Sequence, residues 1–168
     1  MNNNRLDELV KEYSFHSYNI YCKMPVIFLS GAMTGLSEAE QKGWRKYLKN
    51  PFDGIYYVID PTVFDAESDD EDTQKLGHDF DLCGITNCDY FVVNLNKAAQ
   101  SVGTCQEIMY AWLLKKPILG FWESKEYVQP LHPWIKNKLS SEFKSIETLK
   151  MYLILEYYKY KAKEKNNE

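Results

Sequence analysis

Residues 90–95 read Tyr90-Phe-Val-Val-Asn-Leu95, an apolar run without alternation. A strand that is apolar at successive positions is covered on both faces, as a central parallel strand is. Its flanks support that reading. Upstream, Gln74 to Asn87 has helical character, with Leu76, Phe80 and Ile85 placed to face a sheet and Cys83 or Cys88 to fill gaps. Downstream, Lys97 to Ser101 reads as a loop and Val102 to Lys115 as a helix with Ile108, Ala111 and Trp112 inward. Further out, Val26-Ile-Phe-Leu-Ser30 and Ile55-Tyr-Tyr-Val-Ile59 are strands, as is Pro117-Ile-Leu-Gly-Phe-Trp122. Ser37 and Glu40 can box the start of a helix over Ser37 to Asn50, with Trp44, Tyr47 and Leu48 on one face. Pro51 and Gly54 should stop it, and a last helix is expected from Ser145 to about Lys163. Strands alternate with helices and no hairpin signal intervenes. The pattern predicts an α/β fold, a single-domain parallel sheet with flanking helices.

The domain is expected over 25–168, preceded by an extension, 1–24, with helical character through Leu6, Leu9, Val10 and Tyr13. The 168 residues carry a formal net charge of −4, which argues against holding a nucleic-acid polymer by its phosphates. A small anionic ligand needs only a local nest of N–H groups. Aromatic residues make up 15% of the chain, enough for an aromatic core, an interface or a stacking site. No apolar run has the length of a membrane helix, and the polar N-terminus lacks signal-peptide or transit character. Cys22, Cys83, Cys88 and Cys105 form no zinc spacing and read as reduced thiols of a cytoplasmic protein. The acidic run 65–72 lacks the glycine and terminal glutamate of a calcium loop and reads as a solvated loop. No metal or cofactor is called for.

In a parallel sheet the ligand sits at the carboxyl ends of the strands. The loop opening with Ser30, Gly31, Ala32 and Met33 therefore stands in the setting of a phosphate cradle, although a tight turn explains its glycines equally. Ser101-Val-Gly-Thr-Cys-Gln-Glu107 follows the central strand. Gly103 lets a ligand approach the backbone, and the helix start offers donors to it. Thr104 and Glu107 also have the spacing of a capping box, which needs no function. Asp81 lies on the helix entering the central strand and Asp89 directly before that strand, where a turn role competes with substrate binding. If Asp81 and Glu107 meet at the sheet top, they form a glycosidase-like pair of nucleophile and acid. His132, between prolines, reads as a turn residue.

Together, VIFLSGAMTG, DLCGITNCDYFVVNL, SVGTCQEIMYAW and KPILGF resemble the nucleoside 2-deoxyribosyltransferase family over about residues 26–121. Related enzymes hydrolyse 2′-deoxynucleoside 5′-monophosphates and CMP-type nucleotides. The resemblance implies a flavodoxin-like or Rossmann-like domain that cleaves N-glycosidic bonds without a cofactor. Its partners would be a nucleoside or nucleotide and a free nucleobase. Glu107 matches the family nucleophile, and Asp81 the aspartate that serves the departing base. Ser30, Gly31, Ala32, Met33, Asp89, Ser101, Gly103 and Thr104 would line the substrate, and Trp44 or Trp122 would stack the base. Ser101 stands where the transferases carry an acid, which resembles the monophosphate hydrolases. Phe28 replaces a tyrosine that bonds the nucleophile in the family. Such proteins borrow a residue from a neighbouring subunit, a part open here to Asn137. The stripe Leu149, Tyr152, Leu153 and Tyr157 suggests a homo-oligomer.

Overall fold

The structure, a computed structural model, describes residues 24–63 and 70–165. The expected helix in the N-terminal extension and most of the acidic run lie outside the described residues. Five strands form one parallel sheet: β1 (Val26–Ser30), β2 (Tyr57–Ile59), β3 (Tyr90–Asn94), β4 (Ile118–Phe121) and β5 (Ser141–Phe143). Their order is β2-β1-β3-β4-β5. The helices are α1 (Glu38–Phe52), α2 (Glu71–Asn87), α3 (Val102–Leu113), the short α4 (Pro133–Lys136) and α5 (Ile146–Lys165). The chain leaves β1 toward one edge and returns to β3 on its other side. The loops after β1 and β3 therefore diverge, which opens a crevice at the carboxyl end of the sheet.

The strand alternation divides the core into two layers. Ile27, Leu29, Val92, Leu119 and Phe121 pack with Trp44, Leu48 and Phe52 of α1 and Leu149 and Leu153 of α5. Phe28, Phe91, Val93 and Ile118 pack with Ile85 of α2 and Ile108 and Ala111 of α3. Gly84 belongs to that second layer, since a Cβ there would come within 2.8 Å of the Phe28 ring. The Ser37–Glu40 capping box forms as the spacing predicts.

Several expectations fail. Helix α1 runs through Pro51 to Phe52, one residue beyond the expected stop. Gly54 takes the left-handed turn beyond it, at φ 71°. Strand β2 begins at Tyr57, since the N–H groups of Ile55 and Tyr56 are both spent on the Phe52 carbonyl. Strand β5 and helix α4 went unread, being only three and four residues long. Trp112 (48% exposed), Leu76 (43%) and Tyr47 (41%) face outward, at the margins of stripes that their helices bury elsewhere. Leu149 and Leu153 are fully buried in their own domain, with Tyr152 and Tyr157 packed beside them. The stripe on α5 thus covers its own sheet and gives no reason for a second subunit. Among the described residues no helix is long and apolar enough to cross a membrane.

Candidate active site

Strand β1 ends on Ser30, two residues beyond Phe28 and on the same face of the sheet. Its hydroxyl donates to Glu107 Oε2 at 2.5 Å. Glu107 stands in the second turn of α3. The start of that helix is capped by Ser101, whose Oγ accepts from the Thr104 N–H at 3.3 Å and the Thr104 hydroxyl at 2.9 Å. The capping box expected between Thr104 and Glu107 is therefore absent. The helix starts three residues too early for it, and Glu107 is left to reach across to β1.

Asp81 comes from α2, and the two carboxyls line one cleft of about 680 Å³ with Met33, Gly103, Gln106 and Tyr110. Asp81 Oδ1 is buried and has no hydrogen-bond partner among the described residues. Burial pushes the Asp81 carboxyl up to about 8; the Glu107 charge adds to this and Arg45 opposes it. Burial likewise pushes Glu107 up to about 7, against the Ser30 hydrogen bond and the Arg45 charge. Near neutral pH the pair therefore favours one proton on Asp81 and an ionised Glu107, the carboxyl with the donor.

Arg45 was not anticipated. Its side chain is 0% exposed although it sits on a helix rich in charge. It donates to the Gly31 carbonyl at 3.0 Å and to the Gln41 carbonyl, and its guanidinium lies 4.3 Å over the Trp44 ring. Asp60 Oδ1 is 3.6 Å from Nε, which has no hydrogen-bond partner. The available signal was positional: Gln41, Arg45 and Leu48 fall on the stripe that Trp44 and Phe52 bury.

The expected residues separate. Glu107, Asp81, Ser30, Met33 and Gly103 are brought together. A Cβ on Gly103 would meet no atom within 4 Å, so its surface is open toward the cleft. Gly31 is instead packed tightly, with Trp44 at 3.0 Å and Asn94 Cβ at 3.1 Å from where a Cβ would stand. Ser101 and Thr104 are engaged with each other at the helix start. Ala32 and Trp44 line a second cleft of about 500 Å³, with Asn94, Trp122 and Glu123. The Trp44 ring packs edge-on against Phe121 in the core, so it cannot stack a base beside Glu107. Trp122 is likewise buried, its indole N–H given to Glu142. Asp89 lies at the opposite end of the sheet, where Oδ2 accepts from the Val26 N–H at 2.7 Å. It is a strand-entry residue and not part of this cleft. His132, expected as a turn residue, caps α4, and Asn137 closes that helix.

Phe28 stacks on Phe91 in the core, its ring centroid 5.7 Å away. The hydroxyl on Glu107 comes instead from Ser30, two residues further along the strand.

No family model matches the chain, and no curated protein matches it. Solved structures do. A 2-deoxyribosyltransferase of Bacillus psychrosaccharolyticus is 19% identical and superposes at a TM-score of 0.60, over 74% of this chain and 90% of that one. A conserved protein of Enterococcus faecalis V583 is 15% identical, at 0.61 over 79% and 99%. A CMP N-glycosidase of Clostridium botulinum is 16% identical and reaches 0.48 over 76% and 97%. What the first two likenesses establish is the fold: this chain is a Rossmann-like α/β domain with a flavodoxin-type strand order, built on the same plan as a 2-deoxyribosyltransferase.

Proposed function

We propose that the protein cleaves the N-glycosidic bond of a nucleoside, a 2′-deoxynucleoside or its 5′-monophosphate, and passes the sugar to another base or to water. The observation that carries this reading is the Asp81–Glu107 pair, two desolvated carboxyls in one cleft at the switch point of the sheet. They have unequal partners, since only Glu107 receives a hydroxyl.

In the first step the Glu107 carboxylate attacks C1′ and the C1′–N bond breaks. The departing base takes its electrons and the proton held by Asp81. In the second step a water or a second base attacks C1′ from the opposite side, and its proton returns to Asp81. Glu107 leaves as carboxylate, and configuration at C1′ is retained. A 5′-phosphate would lie toward the start of α3, where Gly103 leaves the helix N-terminus open. The resemblance of the four sequence segments to the deoxyribosyltransferases supports the same reading.

Incubation with each common nucleoside, deoxynucleoside and monophosphate, with and without a free base, tests it by chromatography. Base release is expected, with Glu107→Ala reducing it by about 10³-fold or more while the fold persists. Stabilisation of the protein by a nucleotide, with no base released from any substrate, would instead make it a binding module of this fold.

A further inference from the structure

We propose that Arg45 is a positioning residue of this site: a fully buried guanidinium that holds the Gly31 carbonyl, keeps the adjoining Ser30 aligned on Glu107, and places a counter-charge behind that pair. The inference rests on the proposed reading for its consequence in turnover, while the Arg45–Gly31 and Ser30–Glu107 contacts stand whatever the reaction.

The guanidinium is fully buried, and the Asp60 carboxylate stands 3.6 Å from Nε. Asp60 comes from the end of β2, Asp81 and the cleft-lining His78 from α2, Glu107 and Tyr110 from α3. Asp60 Oδ1 already accepts from the Thr62 N–H at 3.0 Å and the Thr62 hydroxyl at 2.8 Å. It therefore sits at 3.6 Å without bonding Nε. Asp60 leaves the cation's charge incompletely neutralised. The Arg45 field acts on both site carboxyls, in the direction that ionises them. Ser30 adds a donor to Glu107 only, so the shared cation ionises that carboxyl first.

Arg45 also has a mechanical hold. It bonds the carbonyl of Gly31, the residue after Ser30, from the same side chain that carries the charge. A loosely held Ser30 would lose its line to Glu107. An arginine suits both tasks, because its planar fork can tie carbonyls while its charge persists at any working pH.

The test separates charge from shape. In protein carrying ¹³C-labelled glutamate, the Glu107 carboxyl is assigned by its loss in Glu107→Gln and titrated by NMR. Arg45→Met should raise its midpoint by about one pH unit or more. Arg45→Lys should leave it closer to wild type, and Asp60→Asn should lower it. The acid limb of kcat/KM for base release should move in the same three directions. An unchanged midpoint in Arg45→Met, or an equal shift in Arg45→Lys, overturns the proposal. Should Arg45→Met fail to fold, a midpoint in Asp60→Asn that does not fall overturns it equally. If the wild-type protein releases no base, the reading of its function fails, while the titration still decides the role of Arg45.

Discussion

The two ends of the sheet treat carboxylates in opposite ways. At the amino end Asp89 is exposed and accepts the Val26 N–H at 2.7 Å, a bond that enters β1 into register. At the carboxyl end Asp81 has a buried oxygen with no partner among the described residues, and Glu107 has one hydroxyl. Lys116 extends the contrast, since it satisfies the carbonyls of Thr86 and Cys88 at the amino end. One end is built for satisfaction and the other keeps its acids desolvated. A fold has no structural need to leave carboxyls in that state, which is why this contrast points to function.

The contrast can be broken by substitution. Asp81→Asn removes the proposed proton donor, and base release should fall by about 10²- to 10⁴-fold in single-turnover experiments. A substrate whose base departs without protonation should lose less. Ser30→Ala removes the only hydrogen bond that Glu107 receives among the described residues. Its carboxyl then titrates higher, the acid limb of kcat/KM shifts to higher pH, and the rate below neutrality should drop by about tenfold.

Stability sharpens the comparison with the reverse sign. Burial pushes Glu107 up to about 7 in the folded protein, against roughly 4.3 in an unfolded chain. Between those values the folded state holds a proton that the unfolded state has released. The Glu107 contribution to stability therefore falls as pH rises through that window and levels off above it, while Asp81, pushed up to about 8, extends the fall to that pH. Glu107→Gln escapes this loss, so its melting temperature should exceed that of wild type at pH 7.5 by more than at pH 4.5. A gain of a few degrees is expected, at roughly 2–4 °C per kcal/mol. An equal difference at the two pH values would mean that Glu107 is not desolvated. The smallest effect belongs to the other end: Asp89→Asn should leave turnover unchanged and cost about 1 kcal/mol or less of stability. A turnover defect there comparable to that of Asp81→Asn would abolish the distinction between the two ends.

Much of this was legible in local pattern. Val26–Ser30 and Tyr90–Asn94 are apolar runs that admit only a covered strand, and Ser37 with Glu40 marks a helix start by chemistry within one turn. Asp81 and Glu107 were legible through the motifs around them. Arg45 was not, because a charged residue among Lys42, Arg45, Lys46 and Lys49 reads as a solvated face. Asp89 and Asp81 look alike in sequence, both acids beside the same strand, and only the direction of the helix between them sends one to each end.

The sequence by itself determined the alternation of strands and helices, the central place of β3 and the residue types available to the cleft. All of these follow from steric and hydrophobic preferences that act over a few neighbours. Tertiary structure alone decided that Ser30 meets Glu107, that Trp44 serves the core, that the stripe on α5 covers its own sheet and that Arg45 is buried. Each depends on which distant segments exclude water from a group, and desolvation is a property of the assembled layers that no local spacing encodes.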